Sequence, residues 1–312
     1  MDGSSRGVLY PARLPTFHRL PAPPELDALV RWFWIPEWDL APGRASRQEL
    51  LPYPACNLVV EPGLVGFSGP ATRRSVRELR GRGWAVGALL RPAAVPAFTA
   101  DPAADRDAYR AIEAPELHAA VSDAMGGREA RESAEGSRGG GAGDGLRGGG
   151  AGDGSRDEGW GDRRGGGGAG DAPRDEGAGD GHARRARAVA ALGAWIAERR
   201  PDPGHDGALA NALVALAESD PAIERVEQLA ARLGVSARTV QRLARRYVGL
   251  PPLALIRRRR LQEAAELLRA DATATIAGVA ASLGYADQAH LAADFRDVLG
   301  LTPSGYRATA AG

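Results

Sequence analysis

Two stretches near the C-terminus of this 312-residue chain repeat one another, and that repeat restricts the fold more than any other feature. Val226, Leu229, Ala230, Leu233, Gly234 and Val235 recur 50 positions later as Ile276, Val279, Ala280, Leu283, Gly284 and Tyr285, with the same apolar, small and glycine classes in the same order. Past the turn the offset becomes 51, pairing Val240, Ala244, Gly249, Leu250, Pro252 and Leu255 with Leu291, Phe295, Gly300, Leu301, Pro303 and Tyr306. One residue has been added to the second turn. Agreement at this many positions marks a duplicated structural unit.

The repeated pattern has a steric reading. Val226, Leu229, Ala230 and Leu233 fall at helical spacing on one face, and Ser236 is placed to cap a second helix, SARTVQRLARRY, whose inner face is Val240, Leu243, Ala244 and Tyr247. Two helices cross at the angle of a helix-turn-helix only if a small residue stands where they touch, here Ala230, and the turn tolerates φ > 0, here Gly234. Asp220 and Pro221 are expected to start the first helix as N-cap and first helical residue. Between the copies, Leu253 to Ala270 reads as a helical spacer with Leu255, Ile256, Leu261, Ala264, Leu267 and Leu268 on or near one side. A rigid spacer of this kind would let both second helices enter successive major grooves of one duplex, about 34 Å apart.

RRRRLQEAAELL, IAGVAASLGYADQAHLAADF and GLTPSGYR together resemble the signature of the AraC/XylS family DNA-binding domain, over residues 220 to 308. The resemblance implies a transcription regulator, most often an activator, that binds asymmetric double-stranded DNA sites of two segments per monomer, with RNA polymerase as a partner and a homodimer as a possible assembly. On the first recognition helix it places Arg238, Gln241 and Arg242 at bases and Ser236, Thr239 and Arg245 nearer phosphate. Arginine bridges guanine O6 and N7, and glutamine pairs with adenine, in the major groove. The bland alternative is an ordinary solvated helix face. The second recognition helix follows Asp287 and offers Gln288, Ala289, His290 and Arg296. It departs from the family in having Ala293 and Asp294 where a basic residue is common, which implies weak or mainly backbone reading of the second segment. His290 reads either as a phosphate contact or as packing in the turn. Arg257 to Arg260 cannot all face DNA from consecutive helix positions, so some are expected to pack or pair within the domain and one or two to attract phosphate.

Formal net charge is +1, which argues against indiscriminate coating of nucleic acid. Its distribution is uneven. Residues 221–312 hold 13 Arg against 8 acidic residues, or +5, whereas residues 1–125 hold 14 of each. Residues 126–182 contain 23 of the 42 glycines, with GAGDG at 141, 150 and 177, and only Leu146 and Trp160 as large apolar residues. Such a stretch cannot bury enough surface to offset its ordering entropy, so a disordered linker is expected there. No GK[ST] closes these glycine runs, which excludes a phosphate-binding loop.

Residues 1–125 carry short apolar runs at Val30 to Ile35, Leu58 to Val60, Val65 to Phe67 and Trp84 to Leu90, punctuated by Gly and Pro, which read as strands. Helical patterns flank them at Pro23 to Leu29 and Ala114 to Met125. LVRWFWIPEW, LPYPACNLVVEPG, FSGP and GWAVGALLRPAAV resemble the β-rich, cupin-like domain fused to some members of the same family, implying a small-molecule sensor or a dimerisation module. Trp32, Trp34, Phe67 and Trp84 are the candidate pocket residues, with core packing as the alternative. The expected architecture is therefore α+β in two domains: a cupin-like domain over 1–125, the linker over 126–182, connecting helices over 183–218, and an all-α tandem helix-turn-helix domain over 219–312. Within the connecting part, Val189, Leu192, Trp195 and Ile196 share one helical face, and Leu209, Leu213, Val214 and Leu216 another.

Enzymatic readings fare poorly. A metal-dependent cupin needs about three His and a carboxylate, and this half offers only His18 and His118. No cofactor is expected. The rival reading is a cysteine-based sensor or methyl acceptor centred on Cys56, the single cysteine, fused to the same DNA reader. Neither a signal peptide nor a run of about 18 apolar residues is evident, so a cytoplasmic protein with no membrane partner is expected.

Overall fold

The computed structural model describes residues 16–50, 53–126, 176–199, 202–271 and 273–310. The segment 127–175, which holds most of the expected linker, lies outside the described residues.

Alternation of apolar and polar residues builds the N-terminal half. Strands β1 (Thr16–Pro21), β2 (Val30–Asp39), β8 (Val86–Leu90), β4 (Asn57–Glu61), β5 (Leu64–Ser68) and β9 (Tyr109–Ile112) pair in that order, with β7 (Arg82–Trp84) also on β2. β3 (Ala45–Leu50) and β6 (Ser75–Arg80) form a separate ribbon, and every pairing is antiparallel. Because successive side chains point to opposite faces, Phe33, Ile35, Leu58, Val60, Phe67 and Val86 turn to one side and are fully buried. Two helices cover that side: α1 (Pro115–Ala124) through Leu117 and Val121, and α2 (Glu176–Glu198) through Leu192 and Ile196. Trp34, Asn57, Val59, Gly66, Ser68 and Gly87, which the strand registers align, occupy the other face.

The expected strands are present. β3 and β6 were not anticipated, because they lack an apolar stripe: Leu79 is the single buried residue of β6. The Pro23 to Leu29 pattern yields only a 3₁₀ turn at Pro24–Leu26. α2 begins at Glu176, inside the stretch read as linker to residue 182.

The helices expected to connect the halves are instead divided between them. α2 completes the core of the sheet, whereas α3 (Gly204–Ser219) contributes Ala210, Leu213 and Ala217 to the first helix-turn-helix core. That core also holds α4 (Val226–Leu233), α5 (Ala237–Leu243) and the π-turn Ala244–Val248 that continues α5. α4 starts later than the Asp220–Pro221 signal suggested. The Asp220 amide instead donates to Leu216 O at the end of α3, while Gln228 Oε1 accepts the Glu224 and Arg225 amides, 2.8 Å each, at the start of α4. The second core is built from α7 (Ile276–Ser282), α8 (Gln288–Leu299) and α9 (Pro303–Ala310). One helix serves both: α6 (Pro252–Ala270) buries Leu255 and Ile256 in the first core and Leu261, Ala264 and Leu268 in the second. Leu267, expected on this stripe, is exposed instead.

The halves meet along α3, the π-turn and the middle of α6. Asn211 Nδ2 donates to Ala28 O at 2.8 Å and its Oδ1 accepts the Ala93 amide at 2.9 Å. Arg31 on β2 pairs with Glu218 on α3 and reaches the Tyr53 hydroxyl. Arg258 of α6 lies over the Tyr53 ring at 5.8 Å.

Candidate nucleic-acid interface

The first turn is built as its residues demand. Gly234 takes φ 67°, the left-handed region where L side chains are strained, and the Val235 amide donates to Ala230 O at 3.0 Å. Ser236 Oγ then accepts the Thr239 amide at 3.1 Å, capping α5. With Val240, Leu243 and Ala244 fully buried beneath it, α5 presents Ser236, Arg238, Gln241, Arg242 and Arg245 to solvent, with Thr239 half-buried at the cap. Arg242 is not idle. Its Nη1 and Nη2 pair with the two oxygens of Asp206 on α3 at 2.7 and 3.2 Å, and the hydrogen bond from Arg242 holds that carboxyl below the usual aspartate range. A contact 36 residues distant in sequence left no local signal.

The second unit repeats the design. Thr275 Oγ1 caps α7 by accepting the Gly278 amide at 3.0 Å, Gly284 turns at φ 69°, and Asp287 caps α8 by accepting the His290 amide at 2.8 Å. Gln288, Ala289, His290 and Arg296 are exposed, and the His290 ring stands edge-on to Tyr285 at 5.2 Å, so it packs in the turn while remaining open to solvent. Asp294 proves to be irrelevant to the outer face: it is fully buried and paired with Arg257.

The arginine run is used inside the protein to a greater extent than expected. Arg257 bridges Asp294 and Asp297. Burial pulls the Arg258 guanidinium down to about 10, against the opposing pull of Tyr53 and Glu218. Arg259, 4% exposed, donates to Ile223 O at 2.9 Å and pairs with Glu263 at 3.1 Å. Arg260 lies over the Tyr285 ring at 4.2 Å. The four tie α6 to both units and to the N-terminal half, and Arg257 keeps its side chain 44% exposed.

The profile of a helix-turn-helix domain family matches residues 229–309, covering both units and α6. A protein of Streptomyces lividans described as an AraC-like transcription regulator is 36% identical over 122 residues, and a second of Streptomyces antibioticus is 34% identical over 122 residues. The C-terminal domain of this chain is similar to that of AraC-like transcription regulators. Each alignment spans 39% of this chain and 38% of the relative, well under half of either. A helix-turn-helix transcriptional regulator of Haemophilus influenzae is 31% identical over 102 residues, 33% of this chain and 34% of its own. Residues 18–107 match a domain of unknown function (DUF6597). Among solved structures, ToxT of Vibrio cholerae is similar at 10% identity and a TM-score of 0.36 over 96% of this chain and 98% of its own, too low a likeness to establish a shared fold.

In the N-terminal half the four candidate pocket aromatics are dispersed. Phe67 and Trp84 are buried in the sheet core. Trp32 lies between the guanidinium groups of Arg19 and Arg31, 4.4 and 4.7 Å from its ring centre. Trp34 lines a cavity of about 420 Å³. Period-two alternation separates Phe67 from Trp34, a distinction that counting aromatic residues does not make. Cys56 is 1% exposed, and burial followed by the charge of Asp105 pushes its thiol up to about 12. Both features are opposite to those of a reactive sulfur. It borders a second cavity, about 290 Å³, at the seam between the halves with Arg31, Tyr53, Asn211 and Glu218. His118 is engaged by the Glu61 and Pro62 carbonyls at 3.0 Å from Nε2, while His18 lies on β1. Among the described residues no helix is long and apolar enough to cross a membrane.

Proposed function

We propose that this chain is a sequence-specific transcription regulator that binds double-stranded promoter DNA, acts as an activator with RNA polymerase, and answers a small molecule through its N-terminal domain. The observation that carries this reading is a single helix, α6, buried in the cores of two helix-turn-helix units, each of which exposes a capped second helix. At 19 residues α6 is about 28 Å long, close to the 34 Å that separates successive major grooves on one face of a duplex. Arg238, Gln241 and Arg242 have the donor geometry for guanine and adenine edges, with Ser236, Thr239 and Arg245 set toward phosphate. In the second unit the contacts fall to Gln288, Ala289, His290 and Arg296, of which Ala289, His290 and Arg296 are equivalent to Arg238, Thr239 and Arg245. A homodimer formed through the sheet domain would double the site without altering this arrangement.

Selection from a pool of random duplexes with purified full-length protein tests the reading. Enriched sequences should contain two determined segments whose centres lie about one helical turn, roughly 34 Å, apart. A pool that remains random after repeated rounds contradicts it.

A further inference from the structure

Four consecutive arginines, Arg257 to Arg260, fill the turn of α6 that separates the two helix-turn-helix cores. The first core takes Leu255 and Ile256 from this helix, and the second begins on Leu261. Between them the units are joined by a single turn. Long helices bend, and a turn clad only in charged side chains adds no apolar packing to resist it.

Consecutive helix positions are about 100° apart, so the four side chains leave α6 on all sides, and they meet different neighbours. Arg259 reaches into the first unit: it is 4% exposed, and its Nη2 donates at 2.9 Å to the carbonyl of Ile223, a residue of the first core. Arg260 and Arg257 reach into the second. Arg260 lies 4.2 Å from the centre of the Tyr285 ring, in the turn between α7 and α8, and Arg257 pairs with the buried Asp294 and, at 3.2 Å, with Asp297 on α8. Arg258 lies over the Tyr53 ring of the N-terminal half at 5.8 Å. Beside this turn the two units also approach each other directly. A Cβ at Gly284 would stand 2.9 Å from Glu224 Oε1 and 3.8 Å from Arg260 Nη2, so the first unit and α6 occupy the space a side chain would take there. Around Gly234, the equivalent glycine of the first unit, that space is open.

We propose that the arginine turn braces α6 against both units, fixes the angle between their recognition helices, and so restricts the protein to DNA sites with one spacing between the two segments it reads. A change of one base pair in that spacing moves the second segment about 3.4 Å along the duplex and turns it by about 35°. Two readers on a helix free to bend at its middle turn would follow the change at little cost. Readers tied to that turn from both sides follow it only by giving up the buried hydrogen bond of Arg259 to Ile223 or the seat of Arg260 on Tyr285. Arg259 and Arg260 are positioning residues in this account, since neither has to touch the duplex. The brace belongs to the free protein; its consequence for spacing rests on the DNA-reading role proposed for α5 and α8.

Two measurements on the full-length chain test the brace, with Arg259→Ala, Arg260→Ala and the conservative Arg260→Lys, which keeps a cation over Tyr285. Without DNA, spin labels placed through Ala231→Cys and Ala281→Cys, equivalent exposed positions on α4 and α7, report the distance between the units, while the buried Cys56 stays unlabelled. The distance distribution should be narrow in the labelled parent and in Arg260→Lys and clearly broader in both alanine variants, at a temperature where circular dichroism shows each to be folded. Arg260 is only half-buried, so Arg260→Ala carries the test should Arg259→Ala fail to fold. Affinities are then measured for duplexes that carry the same two selected segments one and two base pairs closer together or farther apart. The parent should prefer one spacing by at least about ten-fold, and each alanine variant should reduce that preference to about two-fold without changing the bases preferred in either segment. Equally narrow distributions in all four proteins, or a spacing preference untouched by both alanine variants, overturn the proposal. A parent that prefers no duplex sequence, with distributions that still broaden in the alanine variants, would instead overturn the DNA-reading role and leave the brace standing.

Discussion

Arg242 and Arg259 belong to one domain and one residue type, yet burial gives them opposite tasks. Arg242 is exposed and pairs with Asp206 at the surface, so it can exchange that carboxylate for a base or phosphate without unsettling the core. Arg242→Ala should abolish preference for the selected duplex over random competitor in an anisotropy titration while the unfolding midpoint stays the same. Asp206→Asn should raise DNA affinity, since it frees the guanidinium and removes a negative charge beside the backbone; an unchanged or weakened affinity would show that Asp206 does not compete with DNA. The folded-state pKa of Asp206 is depressed, so the contact is present above the ordinary aspartate value and is lost as pH falls through the depressed one. DNA affinity should accordingly show no step from this pair across neutral pH. Arg259, by contrast, satisfies a buried carbonyl, and Arg259→Ala should cost about 2 kcal/mol in denaturant unfolding. From sequence, the resemblance set Arg242 at a base, but within Arg257 to Arg260 nothing distinguished one arginine from the next beyond the geometric point that four in a row cannot share a face. The partner that decides each one's role lies on another element.

Elements with an apolar stripe were readable, and those without one were not. β2, β4, β5 and β8 announce themselves because one face fills the core, whereas β3 and β6 form an exposed ribbon whose polar residues resemble a loop. The turn of the helix-turn-helix was readable because only a few residues fit it. Its glycines give a graded test. Gly234 has open space around its missing side chain, so Gly234→Ala should cost only the left-handed strain, about 1 to 2 kcal/mol. Gly249 has the same backbone demand and also abuts the Pro102 carbonyl, so Gly249→Ala should cost more than Gly234→Ala and separate the N-terminal half from the π-turn. Equal denaturation midpoints for the two variants would contradict that account of the seam.

At the scale of the whole molecule, the helices between the halves had amphipathic patterns that sequence could read but allegiances it could not. An apolar stripe shows that a helix packs without naming the surface it packs on. The division of α2 and α3 between two cores predicts where the chain can be cut. A fragment of residues 202–312 should fold cooperatively, whereas one of residues 219–312 lacks Ala210, Leu213 and Ala217 and leaves Ile223 and Leu229 uncovered, at about 1.5 to 3 kcal/mol for each large side chain. Thermal melts followed by circular dichroism would separate the two, and similar melts would mean that α3 is dispensable to the first unit. The central claim is that one rigid helix sets two reading units on the same side of a duplex. Hydroxyl-radical footprinting of the full-length protein on its selected site tests it most directly. Two protected patches on one face, centred about one helical turn apart, are predicted; a single patch, or two on opposite faces, would contradict it.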